Sequence, residues 1–178
     1  MTHARMKIFA TTALAIAAIL PSVSHAADGT ITFTGSLSAK TCKISGNGAG
    51  KDFTVTLPPV STATLAKLGD KAGGTPFHIT LSDCSDAGKA AVYFEPGLST
   101  NWATGALKNS GTAANVEVAL LNKDMSPIKL GQTAQGVLLA DTAKGGTTTL
   151  EYIAQYTATG ITAAGTINTS SMYTISYQ

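Results

Sequence analysis

From Gly29 to Leu37 the chain places glycine or an apolar residue at every odd position: Gly29, Ile31, Phe33, Gly35 and Leu37. Threonine or serine fills every even one. A repeat of two residues is the mark of a β-strand with one apolar face. The same alternation closes the chain, where Tyr173, Ile175 and Tyr177 share one face of a strand expected from Thr166 to the C-terminus. Short segments of this kind recur between turn signals along the whole length, so the expected fold is an all-β sandwich.

Phe53, Val55 and Leu57 alternate with threonine until Pro58 and Pro59 stop the pattern. Ser61 to Leu68 suits one short helical turn. Phe77, Ile79 and Leu81 are expected on one face of a strand leading to Cys84, with His78 and Thr80 on the other. Further strands are expected over Ala91–Glu95, Val116–Leu121, Ile128–Leu130, Val137–Leu139 and Thr147–Thr157. In the last, Leu150, Tyr152 and Gln155 are assigned to one face, Ile153 and Tyr156 to the other. With the leading segment this makes at least eight candidates, one more than a seven-stranded immunoglobulin-like sandwich uses. The surplus lies at the N-terminus, where no hairpin turn joins Gly29–Leu37 to its neighbour.

Arg5 and Lys7 precede an uncharged apolar run from Ile8 to Leu20, then Pro21 and Ser24-His25-Ala26. That order describes a secretory signal peptide over residues 1–26, with Met6 as an equally good start, rather than a membrane span. Cleavage after Ala26 leaves Ala27 to Gln178, in which ten lysines balance ten acidic residues and no arginine remains. A neutral surface without arginine lacks the clustered cations that bind nucleic acid or acidic membranes. In an oxidising compartment the two cysteines, Cys42 and Cys84, are read as one disulfide. Closing a loop of about 40 residues contributes about 4 kcal/mol in the chain-entropy description.

Sites for chemistry fail one by one. His78 is the only histidine of the mature chain, too few for a triad or a metal centre, and no cofactor or metal is expected. The stretch Ser45–Asp52 is glycine-rich but puts Ser45 where a phosphate loop needs its first glycine and Asp52 where it needs a hydroxyl, so it reads as a hairpin or surface loop. Trp102 stands in a polar loop, as a sugar platform or, more simply, as a cover or subunit contact. Asn168-Thr169-Ser170 matches a glycosylation sequon but falls within the expected final strand.

These residues together resemble the major pilins of chaperone/usher fimbriae of the type 1 kind. The likeness runs through Gly29–Gly35, Cys42, Leu81–Cys84, Asn115–Leu120 and Tyr152–Gly160. It ends on Gly165, fourteenth from the end, and the penultimate Tyr177. The resemblance implies an incomplete immunoglobulin-like β-sandwich, residues 38–178, whose missing strand leaves a groove beside a C-terminal strand carrying Gly165, Ile167, Tyr173, Ile175 and Tyr177. It implies a donor strand over 27–37, with Ile31, Phe33 and Leu37 entering a neighbour's groove and Gly29 and Gly35 where no side chain fits. Only Ala27-Asp28 precede Gly29 in the mature chain. The implied partners are other copies of the chain, a periplasmic chaperone, an outer-membrane usher, and tip adhesin or adaptor subunits. The implied product is a non-enzymatic, extracellular fimbrium on a bacterial surface, supporting adhesion and biofilm. Two alternatives remain at this point: a minor adaptor or anchor pilin, and a secreted monomeric sugar-binding sandwich using Trp102.

Overall fold

The computed structural model describes residues 29–35, 37 and 39–178. The signal peptide expected over 1–26, together with Ala27 and Asp28, lies outside them. The chain divides into two units, Met1–Ser36 and Leu37–Gln178. In the first, Gly29–Gly35 forms neither strand nor helix, and Ile31 and Phe33 are exposed.

The second unit is a two-sheet β-sandwich, as expected. Nine strands are formed among the described residues: β1 Lys43–Gly46, β2 Lys71–Ser82, β3 Gly88–Glu95, β4 Leu107–Lys108, β5 Ala114–Asn122, β6 Pro127–Ile128, β7 Ala140–Thr142, β8 Thr148–Ala163 and β9 Met172–Tyr177. One sheet runs β1-β2-β8-β5-β4, with β6 also on β5; the other runs β7-β3-β9. A short 3-10 helix, Thr62–Leu65, is the helical turn foreseen after the two prolines. Ser61 caps it by accepting a hydrogen bond from the Ala63 amide.

Strand alternation builds the core. Phe77, Ile79 and Leu81 of β2 are buried, and Leu150, Tyr152, Ala154, Tyr156 and Ala158 of β8 face the same interior. Tyr156 therefore lies on the face of Tyr152, and Gln155 on the opposite one, which corrects the expected phase. From Leu150 onward a strict repeat of two sends every even residue inward. Phe77 sits opposite Tyr152 across the β2–β8 ladder, and Phe94 from the other sheet meets the Tyr152 ring edge-on with centroids 5.2 Å apart. The Cys42–Cys84 disulfide is formed, closing a sequence separation of 42 residues. Gly73 marks a bulge in β2 at a φ of 67°, where a Cβ would stand 2.8 Å from the Tyr156 ring.

Three expectations shift. Val137–Leu139 is not a strand; Asn122 donates to the Gly136 carbonyl and accepts from the Leu138 amide, so a side chain takes the place of a ladder. The final strand begins at Met172 rather than Thr166. Residues 166 to 168 bond instead to the loop at 109 to 113, through Ala113 N–H to Thr166 O and Ser110 N–H to Asn168 O. The sequon at Asn168 consequently stands before the strand rather than inside it.

Candidate functional site

The smaller sheet is unfinished on one side. β9 pairs with β3 and with no other strand among the described residues, so its outer edge offers unpaired N–H and C=O groups. Across from that edge runs Phe53–Leu57. Its burial alternates as a strand's would, with Phe53, Val55 and Leu57 half-buried and Thr54 and Thr56 exposed, yet among the described residues it has no strand partner. Among the described residues no backbone hydrogen bond joins it to Asn168–Tyr173.

Between the two rims lies a groove of about 710 Å³, floored by apolar core residues including Phe77, Ile79, Phe94 and Leu120. A second cavity of about 350 Å³ is lined by Pro59 to Thr62 on one side and Ala163 to Gly165 with Ile167 on the other. Groove chemistry is apolar below and hydroxyl-rich at the rim. The Thr169 hydroxyl there is buried without a hydrogen-bond partner.

Two tyrosines tie β9 to the other side of the sandwich. Tyr177 Oη accepts from the Cys42 amide at 3.2 Å, linking the strand end to the disulfide. Tyr173 Oη donates to the Lys51 carbonyl at 2.7 Å, and its ring meets Phe53 edge-on with centroids 6.3 Å apart. Burial, and then the Asp52 charge, holds the Tyr173 phenol above the usual tyrosine range. Tyr152, deeper in the core, is pushed by burial up to about 12.

The sequence-derived positions fall into two groups. Ile31, Phe33 and Leu37 are exposed at 79%, 89% and 103%, and a Cβ on Gly29 or Gly35 would meet nothing within 4 Å. Of the C-terminal set, Tyr173 borders the groove, and Gly165 and Ile167 line the adjoining cavity. Ile175 is buried and Tyr177 half-buried on the core side of β9. Gly165 is tight, since a Cβ there would come 2.3 Å from the Ala113 nitrogen. Sequence reasoning treated Phe53, Val55 and Leu57 as an ordinary strand and missed their role as a rim; Pro58 and Pro59, which end the segment abruptly, were the available signal. Trp102 is exposed and packs over Gly131, where a Cβ would lie 2.5 Å from the indole. Its loop is pinned by the buried Glu117 carboxylate, which accepts from Asn101 Nδ2 and Thr104 Oγ1.

The FimA type-1 fimbrial protein A family matches residues 57–178. The chain belongs to this fimbrial family. The major fimbrial subunit SMF-1 of Stenotrophomonas maltophilia is 45% identical over 172 residues, covering 90% of this chain and 98% of the relative. The F17 fimbrial protein of Escherichia coli is 40% identical over 172 residues, covering 92% and 94%. Among solved structures, a chaperone-usher pilus protein superposes with a TM-score of 0.60 at 16% identity, covering 89% of this chain and all of that one. The P pilus rod subunit PapA gives 0.56 at 15% identity, covering 76% and 99%. The fold is that of the pilins, and this fimbrial protein is a structural subunit of a bacterial surface appendage.

Proposed function

We propose that the subunit polymerises head to tail, with Gly29–Leu37 of one copy lying between Phe53–Leu57 and β9 of the next. The observation that carries this reading is the pair of unpaired edges facing each other over an apolar floor, in a chain whose own apolar alternating segment is exposed. Strand addition satisfies both: backbone bonds supply affinity and alternate side chains supply fit, a mode for which pilin complementation is itself a known case. Burying Ile31, Phe33 and Leu37 contributes about 5–9 kcal/mol, and each ladder hydrogen bond about 0.5–1.5 kcal/mol more. Because the donor and the groove are different surfaces of one molecule, the contact does not close on itself and gives an open filament.

A chain with an open groove exposes apolar surface until it is filled. The reading therefore includes a periplasmic chaperone that covers the groove during export and an usher that passes the subunit on. Tip adhesin or adaptor subunits cap the filament outside the cell, and no enzymatic step is involved. The higher identity to the major fimbrial subunit SMF-1, 45% against 34% for the minor fimbrial subunit HifD of Haemophilus influenzae, supports a place in the rod rather than as a minor adaptor.

Deleting residues 27–37 tests it. The truncated subunit, made in cells with the assembly machinery, is expected to fold with its disulfide intact and to form no filaments in negative-stain images. Phe33→Asp is expected to do the same without shortening the chain. Filaments of normal length from either variant would overturn the proposal.

A further inference from the structure

The Tyr173 phenol stands in the path that an added strand has to take. For one strand to lie between β9 and Phe53–Leu57 the two rims must be separated by about 9.5 Å, twice the spacing of paired strands. The Tyr173 side chain reaches over this gap to the opposite rim, donating to the Lys51 carbonyl at 2.7 Å. Lys51 is exposed and Tyr173 half-buried, so the bond lies at the mouth of the groove rather than on its floor. It is the single hydrogen bond between residues 51 to 57 and 168 to 173 among the described residues. It also engages one lone pair of a carbonyl two residues before the free rim and holds the phenol across the groove there. The ring is steadied from the same rim by its edge-on contact with Phe53. With burial and Asp52 both keeping the phenol protonated, the donor persists at neutral pH.

We propose that Tyr173 is a latch: in the lone subunit it closes one end of the groove, and the entering strand of a second copy displaces it from Lys51. The latch rests on the strand-addition reading above and adds a step to it. It favours the closed groove only slightly, slowing entry without preventing it, and shields the rim from casual pairing with other edges.

The test uses the full-length subunit, wild type and Tyr173→Phe, mixed with a fluorescein-labelled synthetic peptide of residues 27–39 and followed by stopped-flow anisotropy. Phenylalanine keeps the ring against Phe53 and removes only the donor. The variant is expected to bind the peptide about two- to tenfold faster, the equivalent of one net hydrogen bond, with an unchanged dissociation rate. Hydrogen exchange over residues 51–57 is expected to be faster in the free variant than in free wild type, and equal once the peptide is bound. Association at the same or a lower rate, with the peptide still binding, overturns the latch alone. An exchange difference that survives docking does the same, because the bond then persists beside the added strand. A peptide that binds neither protein removes the strand-addition reading and the latch with it.

Discussion

β8 and the Phe53–Leu57 rim carry the same pattern and meet different fates. Both alternate apolar with polar residues, and both turn their apolar side to the same interior. β8 is held on both sides, by β2 and by β5, and its inward residues from Leu150 to Ala158 are buried. The rim is only half-buried and has no ladder among the described residues. Alternation thus specifies that a segment is extended and which way it faces, whereas pairing depends on what the rest of the chain can bring alongside. The rim is guarded at its ends: Lys51 and Asp52 precede it and Pro58 and Pro59 follow, the charges and prolines that blunt strand edges. Only the stretch between them is left open to a partner.

One substitution made in both regions sharpens the contrast. Leu81, fully buried in β2, is expected to cost the isolated subunit about 3 kcal/mol when changed to alanine. Leu57→Ala on the rim is expected to cost less, about 1–2 kcal/mol in the isolated subunit, because that side chain is only partly buried. In the filament Leu57→Ala costs more than in the subunit, since the added strand covers it. Urea unfolding of subunits and thermal dissociation of filaments provide the two readings. Equal losses at the two leucines in the lone subunit would show the rim to be packed already.

The tyrosines extend the comparison at a smaller scale. Tyr152 belongs to the paired region, and its folded-state value of about 12 lies above the ordinary 10.0. Below about pH 10 both folded and unfolded chains keep this proton, and its contribution to stability is fully present. Between about pH 10 and 12 the unfolded chain ionises first, so stability falls, by about 2–3 kcal/mol once pH passes the folded value. Tyr152→Phe is expected to flatten that part of the alkaline stability profile. In a spectrophotometric titration of the wild type, Tyr173 at the groove is expected to ionise before Tyr152; the reverse order would place the groove deeper than the paired core.

Much of this was readable in the residues. Period-two patterns located β2, β3, β5 and β8, and the two cysteines in an exported chain implied their bond. The alternation of Tyr173, Ile175 and Tyr177 identified the core face of β9. What escaped was set by contacts distant in sequence. Tyr156 was misphased because an isolated count slipped by one residue, which the register against β2 and β5 fixes. Residues 166 to 171 looked extended but are drawn to the 109–113 loop by hydrogen bonds through Thr112, Asn109 and Ser110. Lys51 gave no signal, since its part is played by a backbone carbonyl, and every residue carries one.

The central claim is that the open side of this sandwich is completed by another copy of the chain. A cryo-electron microscopy reconstruction of the assembled filament, at a resolution that shows side chains, tests it most directly. The account predicts Gly29–Leu37 of each subunit between residues 53–57 and 172–177 of the next, with Ile31, Phe33 and Leu37 pointing into the groove. A reconstruction in which that segment fills the groove of its own subunit, or lies outside any groove, would contradict it.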